Sequence, residues 1–240
     1  MHHLLRVKIV FLFVTLCTAY GATAQFREIY REERDNKPFY FGMTLGGASA
    51  FLHPSKSPEF LRNDSILSVE PGASSGYSVR LLATARLSKH WEFRVNPGLI
   101  LGVERKFTYN LGKRQLFEDS VTVKTIQSNI ATFPFQFKFN SDRIRNFKVY
   151  MLGGIKYDID LASNASNRNA ENLIKLKKAD FGAEIGIGFN FFLRFVTVSP
   201  EIRISNGFTN LHARDAGLKY SNVLDKLQSR MILFSLHLEE

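Results

Sequence analysis

Between Ala179 and Asn206 the chain reads ADFGAEIGIGFNFFLRFVTVSPEIRISN, with an apolar side chain at nearly every second place. Phe181, Ala183, Ile185, Ile187, Phe189 and Phe191 alternate with Gly182, Glu184, Gly186, Gly188 and Asn190. After Leu193-Arg194, Val196, Val198, Pro200, Ile202 and Ile204 alternate with Thr197, Ser199, Glu201, Arg203 and Ser205. A period of two sends successive side chains to opposite faces of a strand, so the stretch predicts two strands joined by a short turn. One face is continuously apolar, while the other carries charges and glycines. The simplest surface with an apolar outside and a charged inside is a barrel in a membrane.

Six further segments obey the same rule. They are Pro38–Ala50, Tyr77–Leu87, Trp91–Val103, Ala131–Phe139, Phe147–Leu161 and Arg230–Leu238. His53–Ala73, Tyr109–Val121, Ala162–Lys178 and Gly207–Gln228 read as long polar connections, whereas Ser88–His90, Asn140–Asn146 and Leu193-Arg194 read as tight turns. Long and short connections alternate, which defines two unlike rims, as in outer-membrane barrels with short periplasmic turns and longer outer loops. The expected fold is all-β: an eight-stranded antiparallel up-and-down transmembrane β-barrel occupying residues 38–240. Eight strands leave a lumen that side chains fill, so its charges are expected to pair across it. Pro97, Pro134 and Pro200 fall within strands and each removes a ladder donor, which predicts bulges or missing bonds there.

The amino terminus predicts export. His2, His3, Arg6 and Lys8 precede an apolar run, Ile9–Leu16, too short to span a bilayer as a helix, and Ala22-Thr23-Ala24 is a small-residue cleavage signal. Residues 1–24 are therefore read as a signal peptide and 25–37 as a periplasmic amino-terminal tether, flexible rather than an amphipathic surface helix. Loss of 1–24 removes Cys17, the single cysteine, so the exported chain has no disulfide framework. It also removes Arg6 and Lys8, so the 32 basic residues become 30 against 22 acidic ones, an excess of +8. That excess suits acidic head groups and lipopolysaccharide; outside the cytoplasm no nucleic-acid partner is expected.

A soluble sandwich or barrel would have to bury the same apolar face. Energetics favour the membrane, because a lysine or arginine on the lipid face near the midplane costs roughly 2–4 kcal/mol. The charges fall on the polar register instead: Arg80, Arg86, Arg94, Lys138, Lys156, Arg203 and Arg230 are grouped with Glu92, Glu104, Asp158, Glu184 and Glu201.

Little in the sequence carries chemistry. No P-loop, GxSxG or HExxH motif is present. His212 with Asp215 and Ser221 in the last long connection could form a catalytic set, and His237 is the other late histidine, but an ordinary loop and an ordinary strand are the preferred readings. Asp158 and Asp160 are read as lumen ion-pair partners rather than metal ligands. No catalytic residue, metal or cofactor is assigned, and the protein is expected not to be an enzyme.

Several segments in order resemble the PorT family, outer-membrane barrels associated with type IX secretion and gliding motility. They are KPFYFGMTLG (Lys37–Gly46), YMLGGIKYDIDLAS (Tyr150–Ser163), IKLKKADFGAEIGIGFNFF (Ile174–Phe192), VSPEIRISNGFTNLHARD (Val198–Asp215) and LQSRMILFSLHLE (Leu227–Glu239). The resemblance implies an outer-membrane component needed to assemble or operate that secretion system, with other secretion-system proteins as partners. A small barrel enzyme acting on lipid or lipopolysaccharide, and a structural or adhesion barrel, are the alternatives.

Overall fold

A computed structural model describes residues 28–56, 66–111, 121–163, 176–213 and 224–240. Its strands are β1 (Phe39–Lys56), β2 (Ile66–Gly72), β3 (Ser74–Arg86), β4 (Trp91–Val95), β5 (Gly98–Leu111), β6 (Val121–Asn140), β7 (Phe147–Asp160), β8 (Ala179–Phe192), β9 (Thr197–Gly207) and β10 (Leu224–Glu239). β2 with β3, and β4 with β5, follow one another as interrupted strands, so ten segments make eight staves. Every pairing is antiparallel and joins staves that follow one another in the chain, except that β1 also pairs with β10, which closes the barrel. Closure removes the free edges that an open sheet would expose.

The alternation holds in register. Phe133, Phe135, Phe137 and Phe139 face out from β6, while Thr132, Pro134, Gln136 and Lys138 between them are buried. Together with Ala131 they make a nine-residue belt, the length a tilted strand needs to cross a bilayer. Aromatic pairs rim it. Trp91 meets Phe139 at 5.0 Å and Phe147 meets Phe191 at 5.3 Å near the short turns, and Phe181 meets Phe208 at 6.5 Å near the other rim. Such girdles sit at the head-group level of outer-membrane barrels.

The strands run further than the membrane pattern predicts. β1 continues to Lys56, β2 occupies Ile66–Gly72, β5 reaches Leu111 and β6 begins at Val121, all within stretches read as loops. The reason is a reversal of polarity. Beyond the belt, Thr125, Gln127 and Asn129 face out from β6 while Ile126 and Ile130 face in. Ala48, Ala50, Leu52, Val103, Phe107 and Leu227 join them in an apolar core. There the barrel is built like a soluble one, with its apolar side chains inside. Pro71 is tolerated because β2 pairs in register with β5 alone.

In β5 the reversal is made by a bulge. The register with β6 slips by one residue between Ile100 and Val103, and Gly102 takes φ +72°. Val103 is thereby fully buried and Glu104 faces out, paired with Lys106 at 3.1 Å. Glu104 does not belong with the lumen charges. Nor does Arg230: it shares the outward parity of Ile232 and lies opposite Asn206, beyond the belt.

The prolines act as interruptions more than as bulges. Pro97 separates β4 from β5, and pairing to β6 lapses between Val95–Phe135 and Gly98–Thr132, the gap that also contains Pro134. The β8–β9 ladder lapses around Pro200, between Gly188–Glu201 and Phe191–Val198, without a change of register.

The tether reading fails for its described part. Glu28–Lys37 packs across the barrel mouth at the short-turn rim, with a 3₁₀ turn at Glu32–Asn36 and Arg34 buried. It is held there by Arg143 and Asn146 of one turn, Lys148 of β7, Tyr40 of β1 and Glu239 of β10, so it is neither loose nor an amphipathic surface helix.

Candidate functional site

Two regions gather polar chemistry: the lumen at belt level and the mouth at the short-turn rim. Among the described residues, eight buried cations (Arg34, Arg80, Arg94, Arg105, Lys138, Lys148, Lys156 and Arg203) face seven buried carboxylates (Glu92, Asp158, Asp160, Asp180, Glu184, Glu201 and Glu239). Alternation on the strands turns all but Arg34 inward, and the 3₁₀ turn at Glu32–Asn36 brings Arg34 to the mouth; in such enclosed space charges persist only when paired and hydrogen-bonded.

Glu201 is the hub of the lumen. Arg94 Nη1 meets its Oε2 at 2.8 Å, Tyr150 donates to the same oxygen at 2.8 Å, His237 Nε2 lies 3.2 Å away, and Arg203 Nε meets Oε1 at 3.0 Å. Arg203 also reaches Glu184 at 3.1 Å, and Gln136 donates to that carboxylate. Arg94 extends the network to Glu239 at 3.3 Å. Glu92 takes Tyr40 at 2.8 Å, Lys138 at 3.3 Å and Arg86 at 3.3 Å. The ring of Tyr150 stands under Lys138 at 4.1 Å and Arg94 at 5.3 Å. Gly188 makes room for it, because a Cβ there would overlap the Tyr150 phenol. Towards the outer rim, Lys156 pairs with Asp158 at 2.5 Å and Ser128 donates to Asp160 at 2.7 Å. Arg105, Asp158, Asp160 and Asp180 line a small cleft together with Lys177 and Lys178.

Glu184, Glu201, Arg203, Asp158 and Asp160 thus lie in the lumen as their spacing predicts. His237, on the inward register of the last strand, lies there too: Asn96 Nδ2 donates to Thr44 Oγ1 at 3.2 Å, Thr44 Oγ1 and His237 Nδ1 share a hydrogen bond of 2.7 Å, and His237 Nε2 lies 3.2 Å from Glu201 Oε2. Thr–His–Glu is the order of a nucleophile, base and orienting acid. Here Thr44, His237 and Glu201 are all buried, and the network fills the space a substrate would need. His212 is buried at the outer rim, bridging to Leu176. Its suggested partners Asp215 and Ser221 lie outside the described residues. An apolar groove of about 410 Å³ lies on the outer wall between Leu45, Ile187, Phe189, Pro200, Phe234 and Leu236. It opens to the lipid side, and Gly46, Glu201 and Ser235 also line it.

Sequence reasoning missed the mouth. Arg31 takes φ 59°, a left-handed backbone that costs an ordinary residue roughly 1–2 kcal/mol. The turn it makes drops Arg34 into the barrel, where the guanidinium pairs with the Glu239 carboxylate and lies 4.3 Å over the Tyr40 ring. Burial lowers the pKa of Arg34, against Tyr40 and Glu92 nearby, which raise it. Arg31 Nη1 donates to the Glu239 carbonyl at 3.0 Å. Asp35 is met by Lys148 at 2.6 Å and Arg143 at 2.9 Å. Burial would raise the Asp35 carboxyl, but these hydrogen bonds and charges hold it below the ordinary aspartate value. The one signal in sequence was the crowding of charge in YREERDNK, which reads equally well as a solvated tail.

The family described as "Outer membrane protein beta-barrel domain" matches residues 24–213. No curated protein matches the sequence. Among solved structures, Neisserial surface protein A is 12% identical over 84% of this chain and 97% of its own, with a TM-score of 0.42. OprG of Pseudomonas aeruginosa is 13% identical over 84% and 92%, with a TM-score of 0.43. Ail, the attachment invasion locus protein of Yersinia pestis, is 9% identical over 85% and 100%, with a TM-score of 0.41. Closed antiparallel strands, an apolar outer belt and a match over most of its length together make this chain a member of the outer membrane protein beta-barrel domain family.

Proposed function

We propose that this outer-membrane barrel is a non-enzymatic component of a type IX protein-secretion machine and works through its two rims. The observation that carries the reading is the filled lumen: Arg94, Glu201, Arg203, Glu184 and His237 interlock at belt level, leaving no room there for a conduit or a substrate. The same burial argues against catalysis, since Thr44, His237 and Glu201 are all buried. What remains for function is the outer loops, the short-turn rim and the lipid-facing wall. The secretion role rests on the resemblance of Lys37–Gly46, Tyr150–Ser163, Ile174–Phe192, Val198–Asp215 and Leu227–Glu239 to the PorT family. On this reading residues 1–24 are removed on export, lipopolysaccharide surrounds the belt, and other secretion-system proteins dock on a rim.

Deleting the gene tests it. Loss of type IX cargo from the medium, restored by the wild-type gene, is the expected result; undiminished cargo secretion would overturn the secretion role. Restoration by a His212→Ala/His237→Gln double variant is expected as well. Failure of that variant to restore secretion, with the barrel still folded, would favour an enzyme.

A further inference from the structure

Glu28–Asn36 lies in the periplasmic mouth as a ligand lies in a receptor. Asn146 clamps its backbone, accepting the Tyr30 N–H at 2.9 Å and donating to the Glu28 carbonyl at 2.8 Å. Arg143 donates to the carbonyls of Tyr30 and Arg31. These contacts read main chain alone. Two side chains are read as well. The Glu239 carboxylate and the face of Tyr40 make an arginine pocket around Arg34, and Lys148 with Arg143 makes an aspartate pocket around Asp35. Beside the segment, a polar cleft of about 230 Å³ opens between Asp35, Arg86, Lys89, Asp142 and Lys148. A competing chain has a place to enter there while the internal segment is still bound.

We propose that the periplasmic mouth is a polypeptide-binding site for a segment in which arginine is followed by aspartate, and that Glu28–Asn36 fills it as a displaceable internal ligand. The intended occupant is a periplasmic stretch of a partner protein carrying that pair. A backbone clamp gives affinity for any extended chain; the acidic–aromatic pocket next to the dibasic one gives the order of the two charges. The proposal does not depend on the secretion reading.

An internal ligand on a short tether competes at an effective concentration of the order of millimolar, so a free peptide displaces it poorly. The test therefore weakens the internal ligand and leaves the pockets intact. Full-length protein folded in detergent, as wild type and as Arg34→Ala/Asp35→Ala, is titrated into a fluorescent peptide with the sequence of residues 28–37. Heat-modifiable migration on a gel confirms that each is folded. The double variant should bind the peptide at least tenfold more tightly than wild type does. A peptide with the arginine and aspartate exchanged should bind it at least tenfold more weakly. Equal binding by the two proteins, equal binding of the two peptides, or no binding to the opened variant would each overturn the proposal. If the double variant does not fold, Asp35→Ala alone serves with the same readout.

Discussion

At Glu201 side chains from four strands converge: Arg94 on β4, Tyr150 on β7, Arg203 on β9 and His237 on β10. Removing one partner of a buried ion pair costs about 3–5 kcal/mol, since the charges left behind stay desolvated. Glu201→Ala should lower stability by that amount, read as an earlier urea midpoint for loss of the heat-modifiable band; a loss under about 1 kcal/mol would show that the network contributes little. Gly188→Val should cost about 1–3 kcal/mol by the same assay, because its side chain displaces the Tyr150 ring from Glu201. Asp35 makes a pH prediction. Its carboxyl is held below the ordinary aspartate value of 3.8, so its contribution to docking the amino-terminal segment is complete at neutral pH. That contribution is lost as pH falls below 3.8, through the lowered value. Proteolysis or amide exchange at Tyr30–Asn36 should therefore stay flat from pH 7 to pH 5 and rise only in stronger acid; a rise near pH 6 would assign the docking to another group. Parity was enough to place Glu184, Glu201 and Arg203 in the lumen from sequence. It could not place Glu104, because one left-handed glycine upstream shifts the count by a residue, and it could not show that Arg34 re-enters the barrel.

Within single strands, chemistry changes with depth. Phe137 and Gln127 both face out from β6, ten residues apart. Arginine at Phe137 lies within the belt and should cost roughly 2–4 kcal/mol, whereas arginine at Gln127 should cost about 0–1 kcal/mol. Folding titrations into lipid vesicles check the pair, and equal costs would mean that the belt is misplaced. Gly102→Val probes the point where β5 changes over. Valine resists φ +72°, so the bulge should weaken, by about 1–2 kcal/mol if the register holds. The eight staves were legible in sequence because the bilayer imposes a single rule, apolar outward. Their outer extensions were not. In those regions Ile126, Ile130, Phe107 and Leu227 turn inward, and a search for outward apolar residues reads the strands as polar loops.

For the whole molecule, the barrel is sealed at more than one level: the guanidinium at the short-turn mouth, the ion network at the belt, and the apolar core beyond it. Planar-bilayer recordings of purified protein should therefore show no steady channel, and Arg34→Ala should leave that unchanged, since two barriers remain. A regular conductance in the wild type would contradict the filled lumen. The mouth also ties together segments 205 residues apart, just before the first strand and at the end of the last. Glu239 reaches its place only when β10 has zipped onto β1, so the Arg34–Glu239 contact has no counterpart in a partly built sheet. Order of assembly follows from this: the amino-terminal segment stays outside until the cylinder is complete, then docks. While no other chain fills the mouth, an unprotected Tyr30–Asn36 stretch is thus a marker of an unfinished barrel, one that a protease or chaperone could read without inspecting the membrane-embedded strands at all.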